Sequence, residues 1–202
     1  MKKRIAYIST VLMLVAAISG CSVFNAIKNI SQLKFKLSTV SNFQLNGISI
    51  SNKSRLQDFN AGDLLKLTSA FASKKMPVTF TINVEAYNPN ASSTSSTASD
   101  IVLVSFPWRL LIDDVETITG NIGSPVTVPV SKKIIIPIEA QLDLYNFFGT
   151  KGYDKLINLA LKLGGSGGSA TDIKLVATPT INTVLGKMTY PGELTIIEKE
   201  YR

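Results

Sequence analysis

Ile134, Ile136, Ile138, Ala140, Leu142 and Leu144 sit at every second position of one stretch, with Pro137, Glu139, Gln141 and Asp143 between them. An apolar period of two puts one set of side chains on one face of an extended strand, whereas a helix would scatter them around its axis. The same alternation occurs at Phe80, Ile82, Val84 and Ala86 against Thr81, Asn83, Glu85 and Tyr87, and at Leu33, Phe35 and Leu37 against Lys34, Lys36 and Ser38. Strands with one apolar face must pair and then be covered, and a second sheet is the simplest cover.

The remaining chain is punctuated in the same manner. Phe43 and Leu45 continue the first strand, and the apolar phase shifts to Ile48 and Ile50 across Asn46-Gly47, which signals a tight hairpin or a bulge. The apolar run from Ile101 to Ile112 contains Pro107, so an edge strand or a strand broken by a bulge is expected there. Three short strands are expected near Ile173–Ala177, Thr183–Tyr190 and Leu194–Glu198. Two helices stand singly among them. One runs from Asn60, a suitable N-cap, to about Lys74; the other runs from Tyr153 to Leu163 with Leu156, Ile157, Ala160, Leu161 and Leu163 on its apolar side. Ala91–Ser99 reads as a solvated Ser/Thr loop, and Gly164–Gly168 as a helix stop. About seven or eight strands with two isolated helices are too sparse in helix for a parallel α/β sheet. The expected fold is a mainly β, antiparallel sandwich with two added helices, one domain over residues 32–202.

Residues 1–20 form a leader: Met1-Lys2-Lys3-Arg4, an apolar stretch from Ile5 to Ile18, then Ser19-Gly20. This is a secretory signal rather than a span, because the apolar run is short. Ile18-Ser19-Gly20-Cys21 resembles the bacterial lipobox, which implies cleavage before Cys21 and a diacylglycerol on its sulfur. Residues 21–31 would then be a lipidated tether holding the domain near its membrane. Ser22 in place of Asp resembles the sorting pattern for the outer membrane, and Ser22–Ala26 contains no acidic run. The expected location is the cell envelope, lipid-anchored and facing the periplasm.

Composition narrows the chemistry. The chain has no His and one Cys, so the imidazole base, the His-containing triad, the common zinc sites and intrachain disulfides are excluded together. Its formal charge is +7, but Lys2, Lys3 and Arg4 belong to the leader, and 18 basic against 14 acidic side chains remain. No basic helix with interleaved aromatics is present, so nucleic acid is not an expected partner.

Asn83-Val84-Glu85-Ala86-Tyr87-Asn88-Pro89-Asn90 resembles the strand ending in Asn-Pro-Asn of the group-2 late-embryogenesis-abundant proteins, the water-stress and hypersensitive-response domain. Trp108 to Gly120 looks like that family's next strand pair, and Val126 to Ile138 like the strand after it. The resemblance covers roughly Leu33 to Leu144. It implies a fibronectin-III-like or immunoglobulin-like sandwich and a non-enzymatic role in desiccation or other stress. The Ser/Thr loop after Asn90 and the helix at 153–163 depart from the family pattern. Within the motif, Asn88, Pro89 and Asn90 have a structural reading, because Asn side chains satisfy backbone groups at a strand end and Pro sets the turn.

Other constellations carry less. Asp113, Asp114 and Glu116 cluster in an expected hairpin turn, where acids are usually solvated rather than catalytic; a weak Ca²⁺ site on the two Asp residues is conceivable, without an EF-hand loop. Glycines after a helix do not cradle phosphate. No Ser-x-x-Lys pairing on a helix is present at Ser73-Lys74 or Ser131-Lys132. Trp108, Leu156 and Leu161 are candidates to line an apolar groove between sandwich and helix that would take an acyl chain, a lipid or an envelope protein. The sequence thus leads to no catalytic residue, no metal and no cofactor, and to the membrane as the first partner.

Overall fold

The computed structural model describes residues 32–89, 100–167, 170–183, 186–198 and 201. The leader, Cys21 with its lipobox, the tether, Asn90 and the 91–99 loop lie outside them. Strands β1 (Lys34–Leu45), β2 (Ile48–Ser49), β3 (Pro77–Tyr87) and β8 (Lys133–Asp143) form one antiparallel sheet in the order β2-β1-β3-β8. β3 and β8 pair without a shift from Pro77 opposite Asp143 to Tyr87 opposite Lys133. β1 fits β3 through two bulges, one at Leu37/Thr39 and one at Ser41/Gln44, where Asn42 turns to φ 55°. Asn46 (φ 48°) and Gly47 (φ 75°) make the two-residue turn between β1 and β2, so the phase shift is a hairpin.

The opposite layer is β4 (Ile101–Ser105), β5 (Trp108–Ile112), β6 (Val115–Gly120), β7 (Val126–Val128), β9 (Ile173–Ala177), β10 (Thr180–Thr183), β11 (Gly186–Thr189) and β12 (Leu194–Ile196). They pair as β11-β10-β4-β7 and β12-β9-β5-β6. The same four chain segments thus run in the same order through both halves, which are one sheet with a crease. Each segment breaks at a proline: Pro107, Pro125, Pro179 and Pro191. Proline has no N–H for the ladder, so pairing lapses where it stands. Its carbonyl still accepts, and the crease is stitched by Thr178 N donating to Pro107 O (3.0 Å) and Tyr190 N to Pro179 O (2.8 Å). Asn121 supplies the rest, its Oδ1 accepting from Phe106 N at 2.6 Å and its Nδ2 donating to Ser105 Oγ at 2.9 Å.

The described residues thus form twelve strands in three open antiparallel sheets of four, which counted through the crease make two layers of four strands each, the mainly β sandwich that the alternation leads to. Two details differ. Ile101–Ile112 is an interior strand, flanked on both sides, and only its break at Pro107 is as expected. Thr180–Thr183 and Gly186–Thr189 form a hairpin where one strand was expected, closed by Thr183 opposite Gly186 (φ 104°).

One continuous core fills the space between the sheets. Phe35 of β1 reaches across to Phe106 at the crease, with ring centroids 5.2 Å apart, and Phe43 stacks on Phe80 at 5.0 Å. The helices gather at the end where β1 and β8 finish and β3 begins. Helix α1 (Ala61–Ala72) is capped by Asn60, whose Oδ1 accepts from Asp63 N at 2.8 Å, and fully buries Leu67 alone. A short helix α2 (Leu144–Phe148), not foreseen from the alternation that runs into it, is capped by Asp143. Helix α3 (Tyr153–Gly164) buries Leu156, Ile157, Ala160, Leu161 and Leu163. Phe71 of α1 meets Tyr145 and Tyr153 edge-on at 5.1 and 5.5 Å.

Gly164 ends α3 directly against Phe43, and a Cβ there would stand 2.1 Å from the ring. Gly164→Ala is expected to cost about 1–3 kcal/mol by overpacking. Gly123→Ala, with open space around it, should stay within about 0.5 kcal/mol of the parent. Denaturant midpoints of the two variants check this.

Candidate functional site

Asn88 is the only fully buried polar side chain among the described residues. Its Nδ2 donates to Val128 O (3.2 Å), its own carbonyl accepts from Ser131 N (2.7 Å), and its N–H reaches Lys132 O at 3.4 Å. It therefore ties the end of β3, in one sheet, to the β7–β8 connection that leaves the other. Pro89 follows, half-buried, and Asn90 lies outside the described residues.

The acidic turn is engaged structurally. Asp113 (φ 51°) and Asp114 (φ 61°) form the two-residue hairpin turn between β5 and β6. Asp113 pairs with Lys151 at 2.6 Å, Asp114 pairs with Lys174, and nearby Asp172 pairs with Lys162 at 2.5 Å. Asp113 N also donates to Asp172 O at 2.9 Å, so the hairpin is held to the turns on either side of α3. The hydrogen bond from Lys151 holds the Asp113 carboxyl below the usual range, and the bond to Asp172 pushes Lys162 up. Glu116 instead joins Arg109 (3.5 Å), whose guanidinium also grips Glu193 in a two-bond fork at 2.8 and 2.6 Å. Among the described residues no group of three or more acidic, Cys or His side chains is placed to hold a metal, and no helix is long and apolar enough to cross a membrane.

The three groove candidates are core residues. Leu156 is 0%, Leu161 6% and Trp108 7% exposed, and all belong to the continuous apolar cluster. The Trp108 ring covers Gly120, its cross-strand partner, where a Cβ would stand 2.3 Å from it. This explains the strand that ends in Gly.

The outer face of the β1–β3–β8 sheet is a surface that no local motif in the chain marks. Its cross-strand rows run Gln44–Thr79–Gln141, Ser41–Thr81–Glu139, Thr39–Asn83–Pro137, Lys36–Glu85–Ile135 and Lys34–Tyr87–Lys133. The rows nearer the helices carry mostly neutral hydroxyls and amides. Asn83 Nδ2 donates to Thr39 Oγ1 (3.0 Å) and Ser41 Oγ (3.1 Å), binding neighbours along β1 into one array. The signal was present in the polar half of each alternation, but its assembly into one surface depends on register.

No protein-family model matches the chain, and no curated protein matches it. Solved structures similar to it include a protein from Archaeoglobus fulgidus, at 12% identity, covering 83% of this chain and 94% of that one, with a TM-score of 0.35. A candidate late embryogenesis abundant protein is similar at 13% identity, over 93% of this chain and 88% of its own, with a TM-score of 0.37. A protein from Arabidopsis thaliana is 20% identical over 61% of this chain and 73% of its own, with a TM-score of 0.34. These similarities assign the chain neither a family nor an activity.

Asn88→Ala removes a buried donor and strands the Val128 carbonyl, so a loss of about 1–3 kcal/mol in chemical unfolding is expected. The ion pairs act at the pH extremes. Asp113 has a lowered pKa, so its contribution is complete above the ordinary carboxylate range and disappears as pH falls through the lowered value. Lys162 has a raised pKa, so its contribution is complete below the ordinary 10.5 and disappears as pH rises through the raised value. Asp113→Asn should therefore flatten the acid limb of a stability–pH profile and Lys162→Met the alkaline limb. Both effects should be small and salt-sensitive, because the groups are exposed.

Proposed function

We propose that the chain is a lipid-anchored envelope protein whose sandwich works without catalysis, as a protective or binding module during drying or osmotic stress. The anchor rests on Ile18-Ser19-Gly20-Cys21, with the only thiol of the chain at the lipidation position. Several acyl chains on one residue give effectively permanent attachment, since each buried methylene contributes about 0.8 kcal/mol. The observation that carries the protective reading is the outer face of the β1–β3–β8 sheet. There Thr39, Ser41, Gln44, Thr79, Thr81 and Asn83 present an array of neutral donors and acceptors in which Glu139 is the one charged side chain. Such a face hydrogen-bonds water, sugar or a neighbouring polar chain with equal ease, and it carries little charge to lose when ions concentrate on drying. The sequence resemblance to the late-embryogenesis-abundant domain supports the same reading. The alternative, a carrier for an acyl chain or envelope partner, would have used Trp108, Leu156 and Leu161. Their burial makes them contributors to the folded core.

Cys21→Ala should shift the protein from the detergent phase to the soluble fraction, or stall it as precursor; a cleaved variant that stays in the membrane overturns the anchor. A deletion strain should survive drying or osmotic shock less well than its parent while its metabolism is unchanged. Complementation by a chain carrying Thr39→Val, Thr79→Val and Thr81→Val should fail to restore survival, although valine suits exposed strand positions and the melting point should hold. Full rescue by that variant would remove the polar face from the account.

A further inference from the structure

The outer face of the β1–β3–β8 sheet changes chemistry along its length. Its last two rows, Lys36–Glu85–Ile135 and Lys34–Tyr87–Lys133, bring lysine, tyrosine and an exposed isoleucine together at the end of the sandwich opposite the helices. The C-terminal segment returns to the same corner. The Tyr201 hydroxyl bonds to Glu85, and its ring lies 6.3 Å from that of Tyr87, with the Lys133 and Lys36 ammonium groups 5.0 and 6.0 Å from its centroid. Glu85 is only 22% exposed and also pairs with Lys133 at 3.1 Å, so the carboxylate is enclosed and the ammonium groups stand around it. Lys34, Lys36 and Lys132 form no ion pair with another described residue.

The geometry points to this corner as the surface on which the domain rests against a bilayer containing anionic lipid. The inference builds on the anchored reading proposed above. Described chain begins at Gln32, next to β1, and the ten residues between Cys21 and Gln32 span at most about 35 Å. Strand β1, with 12 residues, is about 40 Å long, which puts the helix end that much farther from the point where the tether joins. Lysines without an ion pair stand at both ends, Lys34, Lys36 and Lys132 at this corner and Lys66, Lys74, Lys75 and Lys155 at the helix end. What selects the corner is the short tether, together with its tyrosines and Ile135 (49% exposed), which are of the kind that settles among headgroups. Lysines near a negative leaflet gain by attraction that falls off within a Debye length, so salt should release the contact without releasing the anchor.

The test uses the full processed chain in vesicles of phosphatidylcholine, with or without phosphatidylglycerol, carrying a headgroup-attached quencher. Lipidation occupies Cys21, so Ile135→Cys or Leu65→Cys supplies the single free thiol for a fluorophore. Both replace exposed apolar side chains, at the corner and at the helix end respectively (49% and 72% exposed). With phosphatidylglycerol, quenching at Ile135→Cys should exceed that at Leu65→Cys at least threefold. Adding Lys34→Glu, Lys36→Glu and Lys132→Glu, or raising the salt, should abolish the difference. Equal quenching at the two labels, stronger quenching at Leu65→Cys, or indifference to phosphatidylglycerol overturns the proposal. The anchor is judged separately, by acyl mass on the intact protein and by flotation with neutral vesicles. A chain without acyl mass that floats only with anionic vesicles sinks the anchor and keeps the surface. One that floats with neither sinks both.

Discussion

The unbroken pairing of β3 with β8 sets the frame in which the other contacts are made. Along it Val78, Phe80, Ile82, Val84 and Ala86 point into the core beside Ile136, Ile138, Ala140 and Leu142. With a side-chain period of two, a slip of one residue would turn the slipped strand's apolar set to water and its polar set inward. Polar side chains secure the ladder at both ends. Asp143 Oδ1 accepts from Met76 N at 2.7 Å and Tyr145 N at 2.9 Å, fixing the start of β3 and the first turn of α2 together. At the far end Asn88 fixes β3 to the β7–β8 connection. Hydrophobic burial supplies most of the driving force and these bonds choose the register, because a buried polar atom left unpaired costs more than a bond gains.

The second sheet solves a different problem. It must bend over the core of the first while four strands stay paired, and the crease lets it do so without opening an unpaired interior edge. Pro107, Pro125, Pro179 and Pro191 come from separate parts of the chain and occupy the breaks of all four strands. Had one strand carried its proline out of line, the neighbouring N–H groups would have lost partners with no carbonyl to replace them. Instead the Pro107 and Pro179 carbonyls and the Asn121 amide take up the donors that the breaks release.

Charge is segregated in a related way. Most described carboxylates stand in ion pairs, among them the Asp113, Asp114 and Asp172 group that holds the β5–β6 turn to the surroundings of α3. These surface pairs add little stability individually, but they fix how hairpin and helix sit against each other. The β1–β3–β8 face meanwhile divides into a neutral polar part and a basic, aromatic corner where both ends of the described chain lie. One surface thereby offers two chemistries at different distances from the N-terminal segment.

Elements that depend on near neighbours can be read directly from the order of residues. Alternation placed β1, β3 and β8, Asn60 and the glycines after Leu163 bounded α1 and α3, and Asn46-Gly47 marked a turn, because period, caps and turn chemistry act within a few residues. The proposed leader and lipobox rest on the same kind of evidence, a linear string of neighbouring residues. Long-range packing is what makes four prolines share one crease, requires glycine at 164 because Phe43 lies on it, and puts Trp108, Leu156 and Leu161 in the core. The same packing brings Tyr201 to Glu85 across 116 residues of chain. Those outcomes depend on strand order and register, which bring together residues whose local patterns carry no record of each other.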